Sequence, residues 1–186
     1  MVRAFTPEPL PPGTADLLLR AATRAPSAGF SQGYSFLVLS EPAQTGELWG
    51  IFGDDIGPTS ESVRNAPLII VPLACRDVYL DRYAEKDKGW TDKDEARWPV
   101  PYWYIDSGFT ALLMLLAAVD EGLGAVFFGI PPENMSAFRS AFGVPPEWTP
   151  IGAVAVGHPD PEADQGGSSR VRRRKTIDEL AHRGRW

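Results

Sequence analysis

IDSGFTALLMLLAAVDEG, residues 105–122, has helical length but no polar face. Apolar residues fill nearly every position from Phe109 to Val119, and Gly122 offers a left-handed stop after them. Asp106 or Ser107 reads as the N-cap. A helix that is apolar all round must be covered on every side. A chain of 186 residues forms one domain, spanning 1–186, and has little material to wrap such a helix completely. The second side therefore predicts a contact with another copy, a homodimer.

Short apolar runs bounded by Gly or Pro lie on either side of this helix. Tyr34–Leu39, Leu68–Ala74, Ala125–Ile130 and Ile151–Val156 read as buried strands. Helical spacing appears at Thr45–Phe52, Ser60–Asn65 and Glu133–Phe142. A further helix begins at Thr14, read as its cap, carries Leu17, Leu18, Ala21 and Ala22, and stops before Pro26. The opening segment, with Pro7, Pro9, Pro11 and Pro12, cannot be helical throughout and should run extended over a surface. Arg76–Tyr104 breaks the pattern with a long charged and aromatic excursion, read as a lid or insertion. Its Trp98, Tyr102 and Trp103 would suit the wall of a pocket for a flat conjugated substrate.

Composition narrows the function classes. Hydrophobic residues make up 44% and charged residues 23%, as in a globular domain rather than a disordered one. The net charge of -6 argues against a nucleic-acid partner. Cys75 is the only cysteine, and it lies in an apolar run, so we read it as a buried, inert thiol. With two histidines for company it forms neither a disulfide framework nor a Cys/His zinc site, and no metal is expected. The start, MVRAFTPEPLPPG, has no signal-peptide core, and Phe109–Val119 is too short to cross a bilayer. A cytoplasmic protein without a membrane partner is expected.

Four segments carry candidate chemistry. In APSAGFSQGYSFLVL, residues 25–39, small residues let a ligand approach the backbone while Ser27 and Gln32 offer hydrogen bonds. A strand ending at Phe128-Gly129 can aim a backbone N–H at a ligand edge. Arg170–Lys175, within the basic segment 168–186, holds five cations that could neutralise a phosphate or simply form a solvated tail. Arg3, in MVRAF, says nothing in isolation.

In this order the segments resemble the nitroreductase family of FMN-dependent oxidoreductases. The matching stretches are Arg3-Ala4-Phe5, Ala25 to Phe36, Ala66 to Val71, Gly122-Leu123-Gly124 and Arg173 to His182. The resemblance implies an α+β fold with a central mixed, mainly antiparallel sheet flanked by helices, built as an intertwined homodimer. It places FMN at the subunit interface. Ser27, Ala28 and Gln32 would touch the flavin and its ribityl chain. Gly129, following Phe128, would present its N–H to flavin N5, and Arg173 and Arg174 would hold the phosphate. Arg3 would lie near flavin N1 and O2, where a fixed cation stabilises the reduced ring. The implied activity is ping-pong two-electron transfer from NADH or NADPH to a small nitroaromatic, quinone or similar acceptor. No protein nucleophile or general base is needed. Phe30 would join Trp98, Tyr102 and Trp103 at the substrate.

The sequence departs from the family pattern in two places. Phe30 stands where many members have asparagine, and Gly33-Tyr34 replaces Pro-Trp. A similar G-F-S-Q occurs in the branch with dimethylbenzimidazole synthase, which fragments FMN using oxygen, so that chemistry is an alternative. So are a non-catalytic flavin binder and a dimer that has lost flavin. Members also carry arginines ahead of R-x-F, whereas Met1 lies inside that motif. Either phosphate binding leans on Arg172–Lys175, or translation starts upstream; we take the second reading.

Overall fold

The computed structural model describes residues 1–53, 61–164 and 167–186. Its centre is strand β2 (Leu68–Ala74), buried at every residue. Alternation along β2 feeds two cores: Ile69 and Val71 join one, Leu68 and Ile70 the other. That is the period of two expected of a strand covered on both faces. β1 (Tyr34–Leu39) and β5 (Ala153–Gly157) flank β2, and β3 (Gly124–Phe128) pairs with β5, giving the order β1-β2-β5-β3. A two-residue strand, β4 (Thr149–Pro150), pairs with the end of β2. Every one of these pairings is antiparallel.

Helices cover the two faces. α2 (Pro42–Phe52) and α5 (Met135–Phe142) supply Leu48, Trp49 and Phe138 to one core. α1 (Thr14–Ala22) and α4 (Tyr102–Asp120) supply Leu18, Met114 and Ala118 to the other. α2 starts three residues before the expected Thr45, because Glu41 and Gln44 form a capping box with Pro42 at the first position. Thr14 is not a cap: it is the first helical residue of α1, follows a left-handed Gly13, and its hydroxyl donates to the Pro11 carbonyl. Of the expected helix Ser60–Asn65, Glu61–Asn65 forms a 3-10 turn, and Ser60 lies outside the described residues.

α4 departs from the sequence reading in its start and in its length. The helix begins at Tyr102, straight after Pro101, so Asp106 and Ser107 lie inside it and are buried rather than capping. As the sequence reading expects, its own chain does not enclose it. Ile105, Phe109, Leu112, Leu116 and Val119 form an exposed apolar stripe at three- and four-residue spacing. Finally, at 19 residues it is long and apolar enough to cross a membrane by length and composition, although its other face packs in the core. The excursion after β2 is not irregular throughout: it opens with α3 (Arg76–Ala84). Beyond β5 come two short helices, α6 (Ser168–Val171) and α7 (Ile177–Leu180).

Candidate functional site

The backbone from Ser27 to Gly33 forms a strained lip at the start of β1. Gly29, Phe30 and Gln32 have φ of 60, 55 and 53°, all left-handed. Such a conformation is uncommon for a non-glycine residue and costs about 1–3 kcal/mol. Inside the lip, Ser27 Oγ accepts from the Gln32 N–H at 2.9 Å, and Ser31 Oγ donates to the Ala28 carbonyl at 2.6 Å. Gln32 is exposed, and Phe30 is 74% exposed, so neither conformation is enforced by burying its own side chain.

The strain is held in place from behind. On α4, Asp106 Oδ2 accepts from the Ala28 N–H at 2.7 Å and from the Tyr79 hydroxyl at 2.8 Å. On α3, Arg82 donates to the Gly29 carbonyl at 3.0 Å while Asp87 grips its guanidinium at 2.7 and 2.8 Å. The rings of Tyr79 and Tyr83 lie so close that a Cβ on Gly33 or Gly29 would fall 2.4 or 2.6 Å from them. Burial is the main reason the Tyr79 hydroxyl resists ionisation far above its usual range; a bond with Ser27 opposes this and the one to Asp106 adds to it. Tyr34 is raised too, chiefly by burial and then by the negative charge of Asp106. The sequence reading names Asp106 only as a helix cap and does not name Tyr79. The available signal was a lone carboxylate at the edge of an apolar run.

Gly129 follows the last residue of β3 and is exposed, with no atom within 4 Å of where a Cβ would stand. The Phe128 ring stacks on Trp49 at 5.6 Å and is partly buried against the core that α2 and α5 cover. Strand register places the lip and Gly129 at the same end of the sheet, since Tyr34 pairs with Ala74 and Phe128 with Ala153. They sit on opposite edge strands, three strand spacings or roughly 14 Å apart across the sheet and offset further along the strands.

Arg3 lies at the other end of β3, where the Val2 N–H donates to the Ala125 carbonyl at 3.0 Å. That is about 13 Å from Gly129 along the strand. The Arg3 guanidinium packs close to Gly167, just ahead of the basic C-terminal segment. In that segment Arg173 makes a two-pronged ion pair with Glu179, 2.7 Å at each prong. Arg173 is the main reason the Glu179 carboxyl falls to about 2; Thr176, which forms a capping box with it, adds to the shift. Arg174 is exposed. Val171, Ile177, Leu180 and Trp186 are exposed as well, leaving the segment unpacked on its own chain.

Of the expected pocket wall, Trp98 and Trp103 line a half-open cleft of about 680 Å³ together with Arg76, Glu95, Tyr104 and Glu147. Trp98 also meets Tyr83 at 4.5 Å and Tyr102 at 5.7 Å. Tyr102 and Phe30 lie outside the cleft. A single chain therefore gathers Ser27, Ala28, Phe30 and Gln32 in one place, Trp98, Tyr102 and Trp103 behind them, and Gly129 and the Arg3 side elsewhere. Among the described residues no Cys, His, Asp and Glu cluster could hold a metal.

The sequence model of the nitroreductase family matches residues 1–58 and 54–158. A protein of Archaeoglobus fulgidus, assigned provisionally as an NADH dehydrogenase/NAD(P)H nitroreductase, is 27% identical over 165 residues. That match covers 88% of this chain and 82% of the relative. An FMN reductase (NADPH) of Bacillus subtilis is 26% identical over 160 residues, covering 85% of this chain and 61% of the relative. The solved NADPH:FMN oxidoreductase of Vibrio harveyi, complexed with NAD+, superposes with a TM-score of 0.72 at 20% identity. It covers all of this chain and 73% of that one, a likeness of fold.

Proposed function

Since the chain belongs to the nitroreductase family, we propose that two copies of it hold FMN and form a cytoplasmic NAD(P)H-dependent oxidoreductase acting on small conjugated acceptors such as nitro compounds and quinones. The observation that carries this reading is the lip. Its left-handed residues are pinned by α3 and α4, yet its outer surface, with Gln32 and Phe30, is exposed. Strain of this kind persists where the surroundings over-determine it, and it clusters at ligand sites.

The residues fit FMN when divided between two chains. Gly129 offers an uncovered backbone to a flat ring edge, Ser27 and Gln32 offer polar groups, and Arg3 and Arg174 offer charge. When bound, FMN supplies two-electron transfer between a nicotinamide donor and the acceptor. Arg3 orients and neutralises negative charge, and Arg174 serves the phosphate. Arg173 shares its fork with Glu179 and steadies the segment. Trp98, Tyr102 and Trp103 exclude water on the acceptor side. The exposed stripe of α4, Ile105 to Val119, is the surface on which the second copy packs.

The test is a visible spectrum of the purified chain after saturation with FMN, followed by anaerobic addition of NADPH. Retained flavin absorbance that bleaches with NADPH supports the proposal. Flavin retained without bleaching, by either NADPH or NADH, defeats the enzymatic reading, and no retained flavin defeats the whole of it.

A further inference from the structure

Among the buried polar residues of α4, Ser107 and Thr110 donate to carbonyls of their own helix, whereas Asp106 bonds away from it. Asp106 is 2% exposed in a helix whose other buried neighbours are mostly apolar. A buried carboxylate survives only with partners, and this one takes both of its recorded donors on a single oxygen, Oδ2. One donor belongs to the lip, the Ala28 N–H, and the other to α3, the Tyr79 hydroxyl. Asp106 thus joins α4, α3 and the lip, beside the separate bond from Arg82 of α3 to the Gly29 carbonyl. The side-chain contacts within the lip are local, spanning three to five residues, whereas Asp106 and Arg82 tie the left-handed stretch to distant elements.

We propose that Asp106 is a positioning residue, holding the Ser27–Gln32 lip in its ligand-ready form through the Ala28 N–H, with Tyr79 holding Asp106 in turn. The inference rests on reading the lip as a flavin contact. It adds that flavin affinity is set from beneath, by a group that does not touch the ligand. Losing the acceptor strands the Ala28 donor and frees the lip to relax toward right-handed backbone. An asparagine keeps an acceptor oxygen in the same place and should preserve most of the effect. A leucine of similar volume should not.

The experiment compares the full-length parent with Asp106→Asn, Asp106→Leu and Tyr79→Phe in two measurements. Amide hydrogen exchange without ligand reads the lip against β2 and β5, and fluorescence quenching reads FMN affinity. Expected for Asp106→Leu is about tenfold faster exchange confined to residues 27–33 and about tenfold weaker FMN binding, from one part-buried donor left without its acceptor. Asp106→Asn should stay within about threefold of the parent in both, and Tyr79→Phe should fall between. Parent-like exchange in Asp106→Leu would overturn the proposal. So would faster exchange spread evenly through β2 and β5, or an asparagine variant as impaired as the leucine one. Should Asp106→Leu fail to fold, Tyr79→Phe decides alone, and an unchanged lip there overturns the proposal. A parent that binds no FMN defeats the functional reading, while exchange at the lip still decides whether Asp106 positions it.

Discussion

Gly33→Ala tests whether the lip and α3 are fitted to each other as tightly as the geometry implies. The new Cβ would stand 2.4 Å from Tyr79 Cε2, 2.8 Å from Cδ2 and 2.9 Å from the Cys75 carbonyl oxygen. None of these can retreat easily. The Tyr79 ring is fully buried, and the Cys75 N–H is bonded to the Gly33 carbonyl at 2.9 Å, which fixes the two backbones together. The φ of Gly33 is not left-handed, so the cost is steric rather than conformational. Overpacking a filled site costs typically about 1–3 kcal/mol, and with two immobile neighbours the upper half applies. At roughly 2–4 °C per kcal/mol for a chain of this size, the melting temperature should drop by about 4–12 °C. Thermal unfolding of the ligand-free protein, followed by near-ultraviolet circular dichroism, measures it. In a Tyr79→Leu background the same substitution should cost less, though not nothing, because the carbonyl remains. A Gly33→Ala melting temperature within about 1 °C of the parent would refute the packing argument.

Gly129→Val should leave the melting temperature unchanged, since nothing stands within 4 Å of the new Cβ, while weakening FMN binding; equal affinity would remove Gly129 from the site. Phe30→Asn should stabilise the protein by about 0.5–1 kcal/mol, because asparagine tolerates left-handed backbone and the Phe30 ring is largely exposed; denaturant titration reads it, and a loss of stability would contradict the strain assignment. Leu112→Glu combined with Leu116→Glu, at two exposed positions on α4, should yield a folded monomer by light scattering if the parent is a dimer through this face. Because folding raises the Tyr79 hydroxyl above its usual 10.0, its contribution is intact below that pH and fades as pH rises beyond it. Tyr79→Phe should flatten this alkaline loss of stability, and an unchanged profile would show that other groups cause it.

The strand runs were legible because burial on two faces writes itself as unbroken apolar sequence; Leu68–Ala74 is read to the residue. Boundaries slipped by one or two residues at the strand ends. β3 ends at Phe128 rather than Ile130, and β5 starts at Ala153 rather than Ile151, which instead donates its N–H to the Pro72 carbonyl. The family, and with it an α+β fold on a mainly antiparallel sheet, could be recognised from motifs in sequence, whereas the strand order β1-β2-β5-β3 could not. Asp106 could not be placed that way. A carboxylate ahead of an apolar run looks the same whether it caps a helix or sits one turn inside it, and only the start of α4 at Tyr102 settles which.

Local order in this chain follows from residue type and spacing: which runs are strands, which glycines stop helices, which face of α1 goes inward. What the linear order could not supply is distance. Ala28 and Asp106 are 78 positions apart and Tyr79 and Asp106 are 27 apart, yet one oxygen joins all three. Likewise, only the folded chain shows that Arg3 and Gly129 stand at opposite ends of one strand and the lip at the far edge of the sheet. Hydrophobic patterning selects elements through short-range periodicity, whereas a buried hydrogen bond is chosen by the packing that brings its donors to it.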